Sequence, residues 1–158
     1  MVNIITGSIN SGKTSRLLKL YKDIGRGDGF ISYKNMKGNI VLGYDVMQLS
    51  NGQRQPIVRR KDNLAVDWHE CCEIGPYSFS NDAITWVEKT LRQLRKENVS
   101  PIYLDEIGPL ELNNQCFHKI FKELLGENCE LYISVRQDSL SEVIHKYQIK
   151  EKRLIYTK

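Results

Sequence analysis

The alternation of apolar and polar positions along the 158-residue chain predicts strands and helices in turn. Helices are predicted for residues 15–21, 81–96, 117–125 and 139–147. The predicted strands are residues 2–6, 30–34, 39–49, 53–60, 101–104, 129–135 and 153–156. Because most strands are separated by helices, the pattern favours an α/β fold, a mainly parallel sheet covered on both faces.

One stretch departs from this alternation, because residues 30–60 read as strands with no helix between them. Asn51-Gly52 is a strong signal for a hairpin turn. Pro56 demotes its strand to the edge of a sheet, because proline cannot donate a backbone hydrogen bond. We therefore expect one domain over residues 1–158, with a small antiparallel β insert at about 29–60, followed by a loop at 61–76.

Two helix starts carry capping signals. Ser80 is a candidate N-cap for the helix whose stripe runs from Ala83 to Leu94. Ser139 and Glu142 have the spacing of a capping box, which places the start of the last helix at Ser139. Gly126 is a candidate C-terminal cap.

Composition and charge exclude several classes of function. No apolar run is long enough to cross a bilayer, and no signal segment precedes the first strand, so we expect no membrane partner. The net charge is +4 with scattered basic residues, which gives only weak support for a nucleic-acid partner. The four cysteines form no C-x-x-C pair, and free thiols suit a cytoplasmic location.

The first strand runs into a G-x-x-x-x-G-K-[ST] motif and then into a helix, which is the context of a phosphate-binding loop. Its glycines permit backbone torsions that let successive N–H groups point at phosphate oxygens. Lys13 is expected to reach the β- and γ-phosphates, and the Thr14 hydroxyl to ligate Mg²⁺. The predicted nucleotide-binding residues are Gly7, Ser8, Ile9, Asn10, Ser11, Gly12, Lys13, Thr14 and Ser15.

A second apolar strand ends in two acids, Asp105 and Glu106, at the position of a Walker B motif. We expect Asp105 to face the Mg²⁺ ion, and Glu106 to deprotonate the water that attacks the γ-phosphate. The long separation from Thr14 leaves room for a further strand between the loop strand and the acidic strand. Residues 105–108 also satisfy the D-x-x-G of GTPases, but the chain has no N-K-x-D motif to read guanine.

Charge that develops on a transferring phosphoryl group is commonly met by an arginine. Arg136 follows a predicted strand directly and is the best-placed candidate. Arg26, Arg59 and Arg60 are its rivals. Ser134, at the end of the same strand, is a candidate sensor of the γ-phosphate.

Beyond the phosphate loop, the run Asp105–Leu112 resembles the D-E-I-G-x-[ML]-E-L signature of the small nucleoside-triphosphatase family first described from thermophiles. Three other places resemble further motifs of that family: the pair Gly29-Phe30, residues 43–46 and residues 74–79. The phosphate loop departs from it, with Asn10-Ser11 where the family often has Pro and Gly.

The resemblance implies a RecA-like fold and Mg²⁺-dependent hydrolysis of nucleoside triphosphates with broad base tolerance. It carries the catalytic roles to Lys13, Thr14, Asp105 and Glu106. It gives no firm role to Glu111, for which a supporting contact or a charge at a helix N-terminus are the two readings.

Two other functions stay open at this point. The first is a nucleotide-dependent switch or adaptor that binds a protein or RNA partner. The second is a small-molecule kinase, for which the chain has no arginine-dense lid segment. Oligomeric state and base preference are not encoded in any motif of the chain.

Overall fold

The computed structural model describes residues 1–157, and its nine strands join one sheet. The helices are α1 (Lys13–Ile24), α2 (Asn81–Lys96), α3 (Pro109–Leu112), α4 (His118–Gly126) and α5 (Gln137–Lys146), with a 3-10 turn at Lys61–Asn63. The strands are β1 (Val2–Gly7), β2 (Asp28–Lys37), β3 (Ile40–Gln48), β4 (Arg54–Arg60), β5 (Glu70–Ile74), β6 (Tyr77–Ser80), β7 (Ile102–Leu104), β8 (Leu131–Arg136) and β9 (Lys152–Tyr156).

The order of the strands divides the sheet into two halves. Along the sheet the order is β5-β6-β4-β3-β2-β7-β8-β1-β9. Strands β2, β7, β8, β1 and β9 run parallel to one another, whereas β3 to β6 join through antiparallel pairings. The α/β class is therefore confirmed, but the sheet is evenly mixed rather than mainly parallel.

Helices pack on both faces of the sheet. Successive side chains of a strand point to opposite faces, so apolar runs in the strands give each face apolar side chains to cover. On one face, α1 packs Leu17 against a cluster that contains Ile5 and Tyr103. On the other face, α2, α4 and α5 pack against a larger cluster that contains Ile4 and Leu104. The central parallel strands β1, β7 and β8 therefore have both faces buried, which explains why they read as continuous apolar runs in the sequence.

The antiparallel half is larger than the predicted insert. The expected loop at residues 61–76 is wrong, because β5 occupies Glu70–Ile74 and pairs with β6. The pattern of this short strand is obscured because four of its five residues face solvent. Its identity depends on pairing with β6, which a local pattern does not report.

The predicted edge position of Pro56 is also wrong, since β4 lies between β3 and β6. The proline is tolerated for two reasons. The β3–β4 register shifts between Tyr44 and Asp45, which is where Pro56 pairs. The β6 pairing begins only at Val58, so no neighbour on that side needs the missing N–H of Pro56.

The two predicted helix starts had different outcomes. Ser80 caps α2 as predicted, because its hydroxyl accepts a hydrogen bond from the Ala83 N–H at 3.1 Å. The capping box at Ser139 and Glu142 is wrong, because α5 already begins at Gln137 and Ser139 is buried inside it. Strand β8 runs directly into this helix, which leaves Arg136 as an N-cap without a side-chain bond.

Within residues 1–157, none of the helices has the length and apolar character needed to cross a membrane.

Candidate active site

The loop between β1 and α1 has the shape of an anion cradle, and two glycines make that shape accessible. A Cβ atom on Gly7 would lie 1.9 Å from the Thr157 hydroxyl and 2.5 Å from the Ser11 hydroxyl, so only glycine fits there. Gly12 has a φ of +88°, in the left-handed region that favours glycine. The Ser11 N–H donates to the Ser8 carbonyl, and the first helical bond joins the Arg16 N–H to the Gly12 carbonyl. The N–H groups of residues 12–15, between these two bonds, are therefore available to an anion.

Lys13 lies inside this loop, where its ammonium donates to the Ser8 carbonyl at 2.6 Å. Partial burial lowers the pKa of Lys13, and the nearby carboxylate of Glu106 opposes that shift. Lys13 lies between the loop and the acidic strand, because it lines the same cleft as Asp105 and Glu106. A phosphate oxygen bound in the loop would offer the ammonium a charged acceptor in place of the Ser8 carbonyl.

Asp105 is buried at the carboxyl end of β7 and is held by three hydrogen bonds. Thr14 donates its hydroxyl hydrogen to Oδ2 at 2.7 Å, and the Ser32 N–H donates to the same oxygen at 3.0 Å. Ser134 donates its hydroxyl hydrogen to Oδ1. Burial raises the pKa of Asp105, and these hydrogen bonds oppose the shift by stabilising the charged form.

Glu106 follows in a backbone conformation that is uncommon for a side-chain-bearing residue, with a φ of 62°. Its N–H donates to the Ser134 hydroxyl at 2.7 Å, and the next N–H, of Ile107, donates to the Ser134 carbonyl at 2.9 Å. Ser134 thus fixes the turn that aims Asp105 and Glu106 in different directions. Ser134 is fully buried, and its hydroxyl contacts the Glu106 N–H and Asp105, so it holds the two acids in place.

Glu106 is exposed to solvent, yet it lines the cleft and the surrounding protein atoms partly desolvate its carboxylate. This partial desolvation raises its pKa to about 7, with the charge of Asp105 adding to the shift and Lys13 opposing it. Among residues 1–157, no side chain donates a hydrogen bond to its carboxylate. A carboxylate with a free face and a pKa near neutrality is suited to take a proton.

Glu111, which had no firm role, lies buried below the turn in α3. Its carboxylate accepts the Gly108 N–H at 2.8 Å and the Phe117 N–H at 3.0 Å. Burial raises its pKa, and these backbone bonds oppose the shift. Glu111 therefore ties together the two ends of the segment that follows the acidic strand, which is a supporting contact rather than a contact with substrate.

The four candidate arginines lie in different places, and of the four only Arg136 lines the cleft. Arg136 lies at the end of β8 and lines the same cleft as Lys13 and Glu106. Arg26 donates to the Ser100 carbonyl at 2.9 Å, at the opposite end of β7. Arg59 is bound to Asp45 at 2.6 Å, and Arg60 lies 3.4 Å from Asp62, so both serve the antiparallel half.

The cleft contains two adjoining spaces. A phosphate groove of about 480 Å³ is lined by Gly12, Thr14 and Ser15 together with Tyr33 and Lys34. A second space of about 300 Å³ adjoins it, also lined by Glu106, and is mostly apolar. Both spaces are lined by Asn10, Lys13, Ser32, Tyr44, Asp105, Glu106 and Ser134.

The few oxygen ligands near Thr14 suit a magnesium ion, which keeps part of its water shell, better than a metal ion whose ligands all come from the protein. Thr14 and Asp105 offer a hydroxyl and a carboxylate 2.7 Å apart, and Mg²⁺ prefers such hard oxygen ligands. Within residues 1–157 no group of three or more His, Cys, Asp and Glu side chains is arranged to hold a metal. Mg²⁺ suits a sparse donor set, because it keeps several waters and takes further oxygens from phosphates.

Sequence reasoning missed several residues of this cleft, among them two tyrosines and a serine. Tyr44 and Tyr77 line its apolar side, and Ser32 supplies a backbone N–H to Asp105. Tyr44 and Tyr77 had a signal, since both lie in segments that resemble family motifs, but nothing local indicated which way they point. Burial, and then the charge of Glu106, raises the pKa of Tyr44, which places this hydroxyl within the electrostatic reach of the acid.

These features define a class of protein. A glycine loop before a helix, facing a buried aspartate at the end of a nearby parallel strand, is the arrangement of a nucleoside-triphosphate-binding α/β protein. Comparison with known proteins agrees with this class. The family model described as "NTPase" matches residues 3–157, and the chain therefore belongs to this family of nucleoside-triphosphatases.

Individual relatives are distant in sequence. The nucleoside-triphosphatase THEP1 of Archaeoglobus fulgidus is 25% identical over 131 residues, which cover 81% of this chain and 73% of the relative. Two solved structures share the fold. The crystal structure of THEP1 from Aquifex aeolicus has a TM-score of 0.70 at 16% identity and covers 99% of this chain and 90% of that one. The solution structure of a human cancer-related nucleoside triphosphatase has a TM-score of 0.68 at 20% identity, covering 100% and 89%.

Proposed function

We propose that this nucleoside-triphosphatase cleaves the γ-phosphate of a Mg²⁺-bound triphosphate with Glu106 as the base. The observation that carries the proposal is the meeting of the loop and the acidic strand, where the Thr14 hydroxyl lies 2.7 Å from Asp105. Glu106 follows directly, with a free carboxylate at the γ-phosphate end of the loop. Binding groups and a proton acceptor are therefore present in one cleft.

The phosphate chain is expected to lie along the loop from Ser15 to Lys13. Free N–H groups at the start of α1 bind the α- and β-phosphates, and the Lys13 ammonium binds the β- and γ-phosphates. Arg136 faces the same space as Lys13 and Glu106 and is our candidate for the charge that develops on the γ-phosphate. The other nucleotide-binding residues, Ser8 to Ser11, shape the loop around that end.

Thr14 and Asp105 would hold the magnesium ion. When bound, Mg²⁺ neutralises charge on the β- and γ-phosphates and orients them. Asp105 is prepared for this task because three hydrogen bonds favour its charged form within a buried position.

Glu106 would orient a water molecule and accept its proton as the oxygen attacks the γ-phosphorus. The pKa of about 7 suits this transfer, because the carboxylate is substantially ionised at neutral pH and still basic enough to take a proton. Ser134 holds the Glu106 N–H and Asp105 at once, so the two carboxylates keep separate tasks.

We also infer a RecA-like arrangement and a cytoplasmic location. The first inference is supported by β8, which lies between the acidic strand β7 and the loop strand β1. The second is supported by the four cysteines, which are all free thiols. Broad base tolerance follows from the family resemblance, and initial rates with ATP, GTP, CTP and UTP test it.

The decisive experiment replaces one oxygen of the base. Glu106→Gln is expected to lower kcat by about 10²- to 10⁴-fold, because an amide cannot accept the proton. Its Kd for a Mg²⁺-bound, non-hydrolysable ATP analogue should change by less than about threefold, since the side chain does not hold phosphate. Phosphate release and analogue titration measure the two quantities.

Glu142→Gln is the matched control, because Glu142 is an exposed carboxylate on α5 outside the cleft. It should retain the wild-type rate. If Glu106→Gln also retained the wild-type kcat, Glu106 would not be the base.

A further inference from the structure

The apolar space beside Glu106 is not needed by the triphosphate. We call it the acceptor cavity and define it by Tyr44, Val58, Tyr77, Phe79, Leu110 and Phe117, which line it with Glu106. Its volume of about 300 Å³ is within the range of small-molecule sites. Hydrolysis requires only one water in this space, so its size and chemistry call for a separate account.

The position of the cavity separates it from the nucleoside end of the nucleotide. The cavity is lined by the loop residues Ile9, Asn10 and Lys13, but Gly12, Thr14 and Ser15 line only the phosphate groove. In a phosphate loop the lysine reaches the γ-phosphate, whereas the first helical residues bind the α-phosphate to which the nucleoside is attached. The acceptor cavity therefore lies beyond the γ-phosphate, on the side from which a nucleophile attacks.

The lining of the cavity suits an aromatic molecule that carries a polar group. Strands β3, β4 and β6 supply aromatic and branched side chains, including Tyr44, Val58 and Phe79. The lining also includes Lys13, Glu106 and Arg136, so charged groups from the loop and the parallel strands face the same space. Aromatic and aliphatic walls with a few convergent polar groups are the usual composition of a ligand site.

We propose that the acceptor cavity binds an aromatic alcohol or phenol and presents its hydroxyl to Glu106 as a phosphoryl acceptor in place of water. This inference rests on the proposed role of Glu106 as the base. It extends that role from hydrolysis to phosphoryl transfer.

The transfer balances with the groups already present. The acceptor oxygen forms a bond to the γ-phosphorus, and the bond from that phosphorus to the β-phosphate bridging oxygen breaks. The hydroxyl proton passes to Glu106 and then to solvent. The products are a phosphate monoester and a nucleoside diphosphate, and water competes for the same phosphoryl group whenever the cavity is empty.

Binding is tested first, on the full chain with Mg²⁺ and a non-hydrolysable ATP analogue. The probes are 2-naphthol and 2-naphthylmethanol. Saturation-transfer NMR detects the binding of both probes, and fluorescence also reports the binding of 2-naphthol. We expect saturable binding that the ATP analogue does not displace. Ile74→Trp, which places a larger side chain in the cavity wall, should raise the Kd by about tenfold or more, because it occupies the space.

A control and a second variant keep this test independent of folding defects. Ile40→Trp adds the same indole at an exposed position of β3 outside the cavity and should bind the probes as wild type does. If Ile74→Trp does not fold, Tyr77→Ala removes part of the aromatic wall instead and should also weaken binding. Circular dichroism and thermal denaturation check the fold of each variant.

Transfer is then measured with Mg²⁺ and ATP by ³¹P NMR, which resolves a phosphate monoester from free phosphate. We expect a monoester with 2-naphthylmethanol and none with 2-methoxynaphthalene, which has no hydroxyl. Ile74→Trp should lower the ratio of monoester to free phosphate by about tenfold, in line with its loss of probe binding.

Four results would overturn the proposal. These are no saturable binding of either probe, displacement of the probe by the ATP analogue, equal binding by Ile74→Trp, and free phosphate as the only product with bound probe. Each of them leaves hydrolysis intact. If no nucleoside diphosphate forms even without a probe, the hydrolysis proposal itself fails and the acceptor proposal falls with it.

Discussion

The two halves of the sheet contribute different chemistry to the same cleft. The parallel half ends in the phosphate loop after β1, in Asp105 and Glu106 after β7, and in Arg136 at the end of β8. The antiparallel half contributes the face of β3, β4 and β6, with Tyr44, Tyr77 and Phe79. One half supplies charge and the other supplies an apolar wall.

Topology explains the difference. The carboxyl ends of parallel strands meet at one edge of a sheet, so the polar residues that follow them converge on one place. Neighbouring antiparallel strands end at opposite edges, and what they present together is a face of alternating side chains. We therefore expect substitutions in the parallel half to change the rate, and substitutions in the antiparallel half to change stability and selectivity.

After the loss of the base Glu106, the largest effect is expected for the arginine of the parallel half. Arg136→Ala should lower kcat by about 10³-fold, because a guanidinium that meets charge on the γ-phosphate contributes at least that much in related chemistry. Initial rates at saturating Mg²⁺ and ATP measure it. Arg136→Lys should recover only a part, since an ammonium does not reproduce the planar fork.

Arg59→Ala tests the same comparison from the antiparallel half. Arg59 is bound to Asp45 and to the Tyr44 and Val58 carbonyls, and we expect its loss to reduce stability by about 1–3 kcal/mol with little change in kcat. A comparable loss of kcat in the two variants would break the division between the halves.

The next effect is a pH dependence of the rate. Burial and the charge of Asp105 raise the pKa of Glu106 to about 7, so the protonated fraction grows as the pH falls below that value. Because a protonated base is inactive, kcat/KM should fall about tenfold per pH unit below the pKa. Rates measured from about pH 5 to pH 8 on one buffer series test this, and a flat profile would contradict the assignment.

A smaller effect is expected for the buried carboxylate beneath the turn. Glu111→Ala leaves the Gly108 and Phe117 N–H groups without their partner, and we expect a loss of about 2 kcal/mol or more in the free energy of unfolding. Urea denaturation measures it. Glu111→Gln retains an accepting oxygen and should lose less, whereas an equal loss would show that charge rather than the hydrogen bonds is responsible.

The smallest effect concerns the residue that braces the phosphate loop. The Thr157 hydroxyl lies 2.6 Å from the Ser11 hydroxyl and donates to the Thr6 carbonyl at 3.2 Å. Thr157→Val keeps the shape and removes these bonds, so we expect KM for Mg²⁺-bound ATP to rise by about two- to fivefold. A KM at the wild-type value would mean that the loop holds its shape without this contact.

The local parts of the molecule were predictable from sequence. The phosphate loop and the two acids are short motifs, and their residues are neighbours in the chain and in space. Ser80 was recognised as a cap because a cap and the N–H groups it binds lie within three residues. Patterns of this kind need no knowledge of what packs against them.

The parts that were missed all depend on contacts between residues far apart in the chain. Strand β5 and the interior position of Pro56 depend on which strands pair, and pairing joins residues far apart in the chain. The acidic pair of Glu106 and Asp105 could be named, but its anchoring by Ser134 joins residues 28 and 29 positions away. Glu111 could not be assigned because its partners become neighbours only when the turn after Gly108 closes.

The sequence by itself determined the phosphate loop, the acidic strand and the α/β class, because glycine torsions, helix starts and apolar periodicity act over a few residues. The tertiary structure alone decided that Thr14 meets Asp105, that Ser134 sets the direction of Glu106, and that an aromatic wall closes the far side of the cleft. Those contacts depend on how the strands are ordered, and strand order is settled by burial over the whole chain.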